Sequence, residues 1–380
     1  MTSDPYGPLR SQTRAKHDLL RAYLEPFAFK TLQRFGSLDF VDGFAGPWKS
    51  EDEDFSDTSF GIAVETLAAV QETLAATGRR PSVRCLFNEE KASSFVLLER
   101  FVEQARRTYP HMEFVAKRGR FADNAGSLAK EATNAFRLVF VDPTGWLGYP
   151  RDALTELLRH PRSEVIVNFM SSFVDRFFRE PEDRRDAWLE QMLGPERAQA
   201  LRTRQASEED VRQAVAAMLR HDLGFDYVCE SPVAKNEADQ VHFWLLYGTR
   251  NAMGVEVLRD AEVRALTRHE AAREGHRQGP QLLLEGLPVP GPYSTMRADH
   301  LRELPSLICT LASKASKPFT LGVLAPKIMT RRYVRKTEIK DAVAKLAGEG
   351  IIQPTWKERS PKARKPADGD SILLTNPASS

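Results

Sequence analysis

At 380 residues, 42% hydrophobic and 28% charged with a net charge of +2, the chain has the composition of a soluble globular protein and the length for two or three domains. No run approaches the roughly 18 apolar residues of a membrane span, and the start, MTSDPYGPLRSQTR, lacks the apolar core of a secretory signal; a cytoplasmic location and no membrane partner are expected. Cys85, Cys229 and Cys309 lie far apart with no CxxC pair, which excludes a zinc ribbon and a disulfide framework, and no metal is expected.

Residues 13–35 space Leu19, Leu20, Tyr23, Leu24, Phe27 and Leu32 as a helix does, with a break expected near Pro26. LDFV is a first strand, followed by an acidic surface loop, KSEDEDFSDTSFG. Residues 61–77, Ala-rich and amphipathic, predict a helix. VRCLFNEE is a second strand, 91–108 a helix, HMEFVAKR a third strand and 124–135 a helix. RLVFVD is a fourth strand, 151–159 a short helix and SEVIVNFM a fifth strand. A charged helical stretch covers about 173–221, and FDYVCESPV and QVHFWLLYGTR are two last strands with a short connection.

Strands alternating with helices imply right-handed crossovers and a doubly wound, mostly parallel sheet. The last two strands form an antiparallel edge hairpin, which makes the α/β body, residues 1–276, a Rossmann-like methyltransferase sheet with a helical insertion at about 173–221. Residues 277–298 are rich in Pro and Gly and read as a linker. Helices near 299–313 and 320–329, the amphipathic TEIKDAVAKLAGEGII, and two short strands around a basic loop give a winged-helix-like domain over 299–380.

Charge divides the same way. From His300 onward there are 15 Lys+Arg against 7 Asp+Glu, leaving 39 against 45 in the rest, so an acidic body carries a basic tail. A winged helix presents one helix to a groove and a basic wing to phosphates, which makes nucleic acid the expected partner of Arg331, Arg332, Arg335, Lys336, Lys362, Arg364 and Lys365. Protein docking is the competing use of such a unit. His269-Glu-Ala-Ala-Arg273 fails as a zincin helix, because the second histidine is replaced by Arg273.

In open parallel sheets ligands bind beyond the carboxyl ends of the strands at the topological switch point. Polar groups stand there on successive strands: Asp42-Gly43-Phe44-Ala45-Gly46, Asn88-Glu89-Glu90, the Gly119–Asp123 loop, Asp142-Pro143-Thr144-Gly145 and Asn168. Each alone reads equally as a turn or a helix cap. Together they suit a nucleoside cofactor. Small residues at 43, 45 and 46 admit close backbone approach, Glu89 accepts from ribose hydroxyls and Asp123 from an adenine amino group. Neither GxGxxG nor GxxxxGK[ST] is present. S-adenosylmethionine, which has no phosphates to cradle, is therefore the expected cofactor, with Asp42 and Lys16 also placed at its site.

The ordered pieces K16-H-D-L-L-R-A-Y23, D42-G-F-A-G-P47, F87-N-E-E-K91, G119-R-F-A-D123, F140-V-D-P-T-G145, V165-I-V-N-F169 with D175-R176-F177, and G248-T-R-N-A-M-G254 resemble the three-Cys-motif partner family. That resemblance implies a methyltransferase-type fold with a C-terminal extension and a partner protein encoded nearby. Trp48 and Asn88 depart from the family pattern. Asp142-Pro143-Thr144-Gly145-Trp146 loosely resembles the DPPY loop of amino methyltransferases, with Trp146 supplying the ring one position late and Asp142 and Pro143 the acceptors. Cytosine-C5 chemistry is not expected, since no cysteine stands in the loop directly after the fourth strand. The expectation is a methyltransferase acting on nucleic acid, an amino group being one possible acceptor; the alternative is a catalytically silent scaffold working with a partner protein.

Overall fold

The structure, a computed structural model, describes residues 11–46, 55, 57–132, 134–143, 149–170, 182–202, 206–235, 238–278, 291–315 and 319–375. One sheet contains β1 (Ser37–Asp42), β2 (Ser82–Glu89), β3 (Met112–Arg118), β4 (Phe136–Val141), β5 (Ser163–Met170), β6 (Tyr227–Ala234) and β7 (Val241–Thr249), in the order β3-β2-β1-β4-β5-β7-β6. The first five run parallel, and β7 is antiparallel to both β5 and β6. This is the Rossmann-like methyltransferase sheet with its antiparallel hairpin, in which β7 lies inside and β6 forms the edge.

Helices cover both faces, which is why the strands are nearly continuous apolar runs. Along β4, Leu138 and Phe140 enter one core layer while Val139 and Val141 enter the other, the two-residue alternation of a strand. The first layer contains α1 (Ser11–Phe35), α2 (Ser59–Ala75), α3 (Ala92–Thr108) and α9 (Ala252–Gln278). The second contains α4 (Phe121–Glu131), α5 (Arg151–Leu158), α6 (Glu182–Leu193), α7 (Pro195–Arg202) and α8 (Glu208–His221). Helix α1 continues through Pro26 rather than ending there. Tyr23, Leu24, Phe27 and Ala28 on either side are buried, and that burial offsets the roughly 3 kcal/mol an internal proline costs. Among the described residues no helix is long and apolar enough to cross a membrane.

The turn from β7 into α9 holds the Gly248–Gly254 motif. Arg250 donates to the carbonyls of Leu158 at 3.1 Å and Ser163 at 3.3 Å, pinning this turn to the start of β5. The Thr249 hydroxyl donates to Glu164 at 2.7 Å. Gly254 packs on that cluster so closely that a Cβ would lie 2.3 Å from the Tyr247 hydroxyl.

Beyond α9, α10 (Pro292–Ser313) begins inside the stretch read as linker. Pro292 occupies its first turn, and the distant Glu270 accepts from the Tyr293 and Ser294 amides at 2.7 and 2.9 Å. Then come β8 (Phe319–Thr320), α11 (Leu321–Arg331), α12 (Lys336–Gly348), α13 (Trp356–Arg359) and β9 (Ser371–Ile372). Strand β8 pairs antiparallel with β9, and Ile352 bridges Leu374. The basic loop between those bridge residues holds a helical turn, α13, seated by the buried Trp356. Leu304, Ile308, Leu324, Ile328 and Met329 join the same core cluster as Val233 and Val255 of the body. Arg259 of α9 donates through Nε to the Met329 carbonyl at 2.7 Å and through Nη1 to both Glu262 oxygens.

Candidate functional site

Strand β1 is flanked by β2 on one side and β4 on the other, so the switch-point crevice opens at their carboxyl ends. Asp42 ends β1, fully buried. Its Oδ1 accepts from the Phe44 amide at 3.0 Å and its Oδ2 from the Ser59 hydroxyl at 2.8 Å. Burial pushes its carboxyl up to about 7; the two hydrogen bonds pull it down, and the nearby Asp142 pushes it up again.

The turn after β1 keeps its amides to itself. Gly43 donates to the Phe140 carbonyl at 3.0 Å, Ala45 to the Asn88 carbonyl at 2.8 Å and Gly46 to the Phe44 carbonyl at 2.9 Å. The expectation that these amides face a ligand is corrected: carbonyls on β4 and β2 take those of Gly43 and Ala45, the Phe44 carbonyl takes that of Gly46, and Asp42 takes that of Phe44. Gly43 is small for a different reason, since a Cβ there would lie 2.8 Å from the Phe121 ring. Trp48 lies outside the described residues.

At the end of β2, Asn88 acts as a tie. Its Nδ2 donates to the carbonyls of Gly43 at 3.2 Å and Gly119 at 3.1 Å, and its Oδ1 accepts from Asn124 at 2.7 Å. These bonds join the ends of β1, β2 and β3, which accounts for a residue that departs from the family pattern. Glu89 accepts from the Lys91 amide at 2.6 Å, and burial raises its carboxyl above the usual range. Asp123 is exposed in the first turn of α4, where its charge complements the helix dipole.

Asp142 follows β4. Its Oδ1 accepts from Asn168 Nδ2 at 2.6 Å, and its Oδ2 forms an ion pair with Lys16 of α1. Because an ionised carboxylate only accepts, Asp142 fixes the Asn168 amide, and Asn168 Oδ1 is the atom left over. That oxygen is buried and meets no donor. Pro143 is buried beside Asp142, whereas Trp146 and Arg176 lie outside the described residues. Tyr23, on the same helix as Lys16, takes no part: its hydroxyl donates to Glu164 at 2.5 Å.

The structure therefore brings Asp42, Asp142 and Lys16 together and adds Ser59 and Asn168, neither of which was assigned a role from sequence. Asn168 had a signal, a polar residue ending an apolar strand. Ser59 had none.

The basic residues of the tail fare unevenly. Lys336 is held by Glu256 at 2.8 Å and Asp368 at 2.7 Å, Arg335 by Glu338 at 2.9 Å, Arg332 by Glu303 at 3.4 Å, and Lys365 by Asp341. Arg331, Lys362 and Arg364 are exposed and make no ion pair with a described carboxylate.

No family model and no curated protein matches the chain. Solved structures similar to it include the O-methyltransferase TomG from Streptomyces achromogenes, in complex with S-adenosylmethionine. It is 15% identical with a TM-score of 0.35, over 64% of this chain and 90% of its own. The O-methyltransferase from Bacillus cereus, in complex with S-adenosylhomocysteine, is 10% identical with a TM-score of 0.34, over 60% and 80%. Spermidine synthase from Thermotoga maritima is 9% identical with a TM-score of 0.34, over 70% and 67%. At these scores they assign this chain neither an activity nor a substrate.

Proposed function

We propose that the chain is an S-adenosylmethionine-dependent methyltransferase whose acceptor is a nitrogen nucleophile on nucleic acid. The observation that carries this reading is Asp142 at the switch point, beside a buried acceptor oxygen of Asn168 that meets no donor. The cofactor has an ammonium group and ribose hydroxyls, all donors, and the crevice is edged by acceptors: Asp42, Glu89, Asp142 and Asn168. The donor set fits, although the turn amides take no part. Glu89 would hold the ribose and Asp42 the turn beneath it. When bound, the cofactor supplies the methyl group. Asp142 and Asn168 Oδ1 orient an amino acceptor through its two N–H groups, and Asp142 takes the proton it gives up, once Lys16 has yielded its place on Oδ2.

Calorimetry with S-adenosylmethionine tests this directly. Wild type should bind, and Glu89→Ala should bind about 10- to 100-fold more weakly, the loss of hydrogen bonds to a charged group. Unchanged affinity removes Glu89 from the site, and a wild type that does not bind sinks the cofactor reading.

A second reading, a silent scaffold acting with a partner protein encoded nearby, is favoured by the internally bonded turn and by the Lys16–Asp142 ion pair. Under either reading we take residues 292–375, with the order helix, strand, two helices and an antiparallel return, as a winged helix. Of the seven cations assigned from sequence, those left to meet phosphate are Arg331, Lys362 and Arg364. Lys362→Ala with Arg364→Ala should lower the slope of log affinity for duplex DNA against log salt by about two. An unchanged slope removes them from the interface.

A further inference from the structure

Lys16 is the residue of α1 that reaches the Asp142 crevice, and the helix gives it little freedom to leave. Its neighbours Ala15, Leu19 and Leu20 are buried, and Tyr23 is tied to Glu164 and, at 3.0 Å, to Tyr247. With Leu20, Phe140, Ile166 and Leu245, Lys16 lines an apolar cavity of about 10 Å3, the room of a single water. Its amine ends on Asp142 Oδ2, and the two side chains are only 13% and 17% exposed. Asn168 Nδ2 holds the other Asp142 oxygen at 2.6 Å, which puts Asn168 Oδ1, buried and without a donor, beside the pair.

A covered lysine–aspartate pair is most often a structural tie. This one differs in its position, because the ammonium fills the place on Asp142 that an amino acceptor needs. Lys16 is also a nitrogen nucleophile in its own right, and the protonated amine carries three N–H donors for the two neighbouring acceptors, Asp142 Oδ2 and Asn168 Oδ1. A nucleophile that the fold holds against its base reacts as if at very high concentration, with no association step to complete.

We propose that Lys16 is itself a methyl acceptor, modified in place by the chain that carries it; the inference rests on the reading of Asp142 given above. Asp142 takes one proton from the Lys16 ammonium, and rotation about Cε–Nζ swings the freed lone pair off the carboxyl and into the crevice. The amine forms its N–CH3 bond as the S–CH3 bond of the bound cofactor breaks, with S-adenosylhomocysteine as the leaving group. The proton then passes from Asp142 to water. The methylated ammonium keeps its charge but has one N–H fewer. Three transfers leave no N–H for Asp142, which frees the carboxylate for an external acceptor.

The full chain would be incubated with S-adenosylmethionine bearing a deuterated methyl group, and the peptide containing Lys16 read by tandem mass spectrometry. Label should appear on Lys16, at a rate independent of protein concentration because base and acceptor share one chain. Asp142→Asn should slow it at least tenfold, and Lys16→Arg, which keeps a cation on Asp142, should abolish it. A readout without cofactor checks the seat of the amine. Under trace acetic anhydride, Lys16 should react at least tenfold more slowly than the exposed Lys362, and Asp142→Asn should remove most of that protection. Equal reaction of Lys16 and Lys362 in wild type overturns the proposal, as does a labelling rate that rises with protein concentration. Calorimetric binding of S-adenosylmethionine with no label on Lys16 leaves a structural ion pair only, which overturns this proposal and spares the cofactor reading. A wild type that does not bind the cofactor removes both.

Discussion

Arg259 decides how firmly the C-terminal unit is joined to the sheet. Its side chain is 1% exposed, and Nη1 donates to both Glu262 oxygens at 2.8 and 2.7 Å while Nε donates to the Met329 carbonyl at 2.7 Å. Arg259→Met keeps the volume of the stem but strands Glu262, itself 0% exposed. Removing one partner of a buried pair costs about 3–5 kcal/mol, and the lost bond to the Met329 carbonyl adds about 1 kcal/mol. Burial already pushes the Glu262 carboxyl up, with Arg259 opposing it; without Arg259 the acid binds its proton more tightly folded than unfolded. Such a group makes the native state the better proton binder, so the stability of the variant should rise as pH falls from 8 to 5.5. Arg259→Met with Glu262→Leu should recover most of the loss at pH 8, because an apolar replacement of both partners is neutral or stabilising. Urea unfolding at the two pH values measures all of this. A single variant within about 1 kcal/mol of wild type at pH 8, or a double variant no better than the single, would refute the reasoning.

Gly254→Ala places a Cβ 2.3 Å from Tyr247 Oη and 2.7 Å from Glu164 Oε1, and should cost about 1–3 kcal/mol in urea unfolding; wild-type stability would mean that the Tyr23–Glu164–Tyr247 cluster gives way freely. Asp42, with a folded carboxyl at about 7, holds its proton in the native state over a range where the unfolded chain has lost it. Its contribution to stability therefore declines as pH rises from about 4 to 7 and is level above that. Asp42→Asn should flatten that part of the melting-temperature profile, and an unaltered profile would show that Asp42 ionises normally.

The strands were legible because each is an apolar run longer than its neighbours require, bounded by Gly, Pro or charge, and the sheet class followed from their alternation with helices. What local pattern does not carry is distance along the chain. The start of α10 was read as linker because its cap, Glu270, comes from another helix. Pro26 was read as a break because the burial that holds α1 together is supplied by α2 and α9. At the site, carboxylates ending strands were visible, and Asp42 and Asp142 do converge. The ion pair of Lys16 with Asp142 spans 126 positions and has no local signature beyond one residue on a helix. Gly43 looked like a ligand contact and is a seat for Phe121, and the free-looking amides of Gly43 and Ala45 answer to carbonyls on β4 and β2. The basic tail was counted correctly as a sum of charges, but much of that sum is answered by carboxylates on α9, α10, α12 and the loop before β9.

The strand order has a consequence for how the chain is born. Strand β5 ends at Met170, and the strand that covers its outer side, β7, begins only at Val241. At about 5–20 residues per second, a ribosome takes roughly 4–14 s to make the intervening segment. Throughout that interval the apolar edge Val165-Ile-Val-Asn-Phe169 has no neighbour, and β6, synthesised first, cannot shield it because its own neighbour in the sheet is β7. Helix α1 waits longer still, its inner face unroofed until α9 emerges. The nascent chain is thus a sticky intermediate for most of its synthesis, and translation that stalls between β5 and β7 leaves an open β edge for other chains to join.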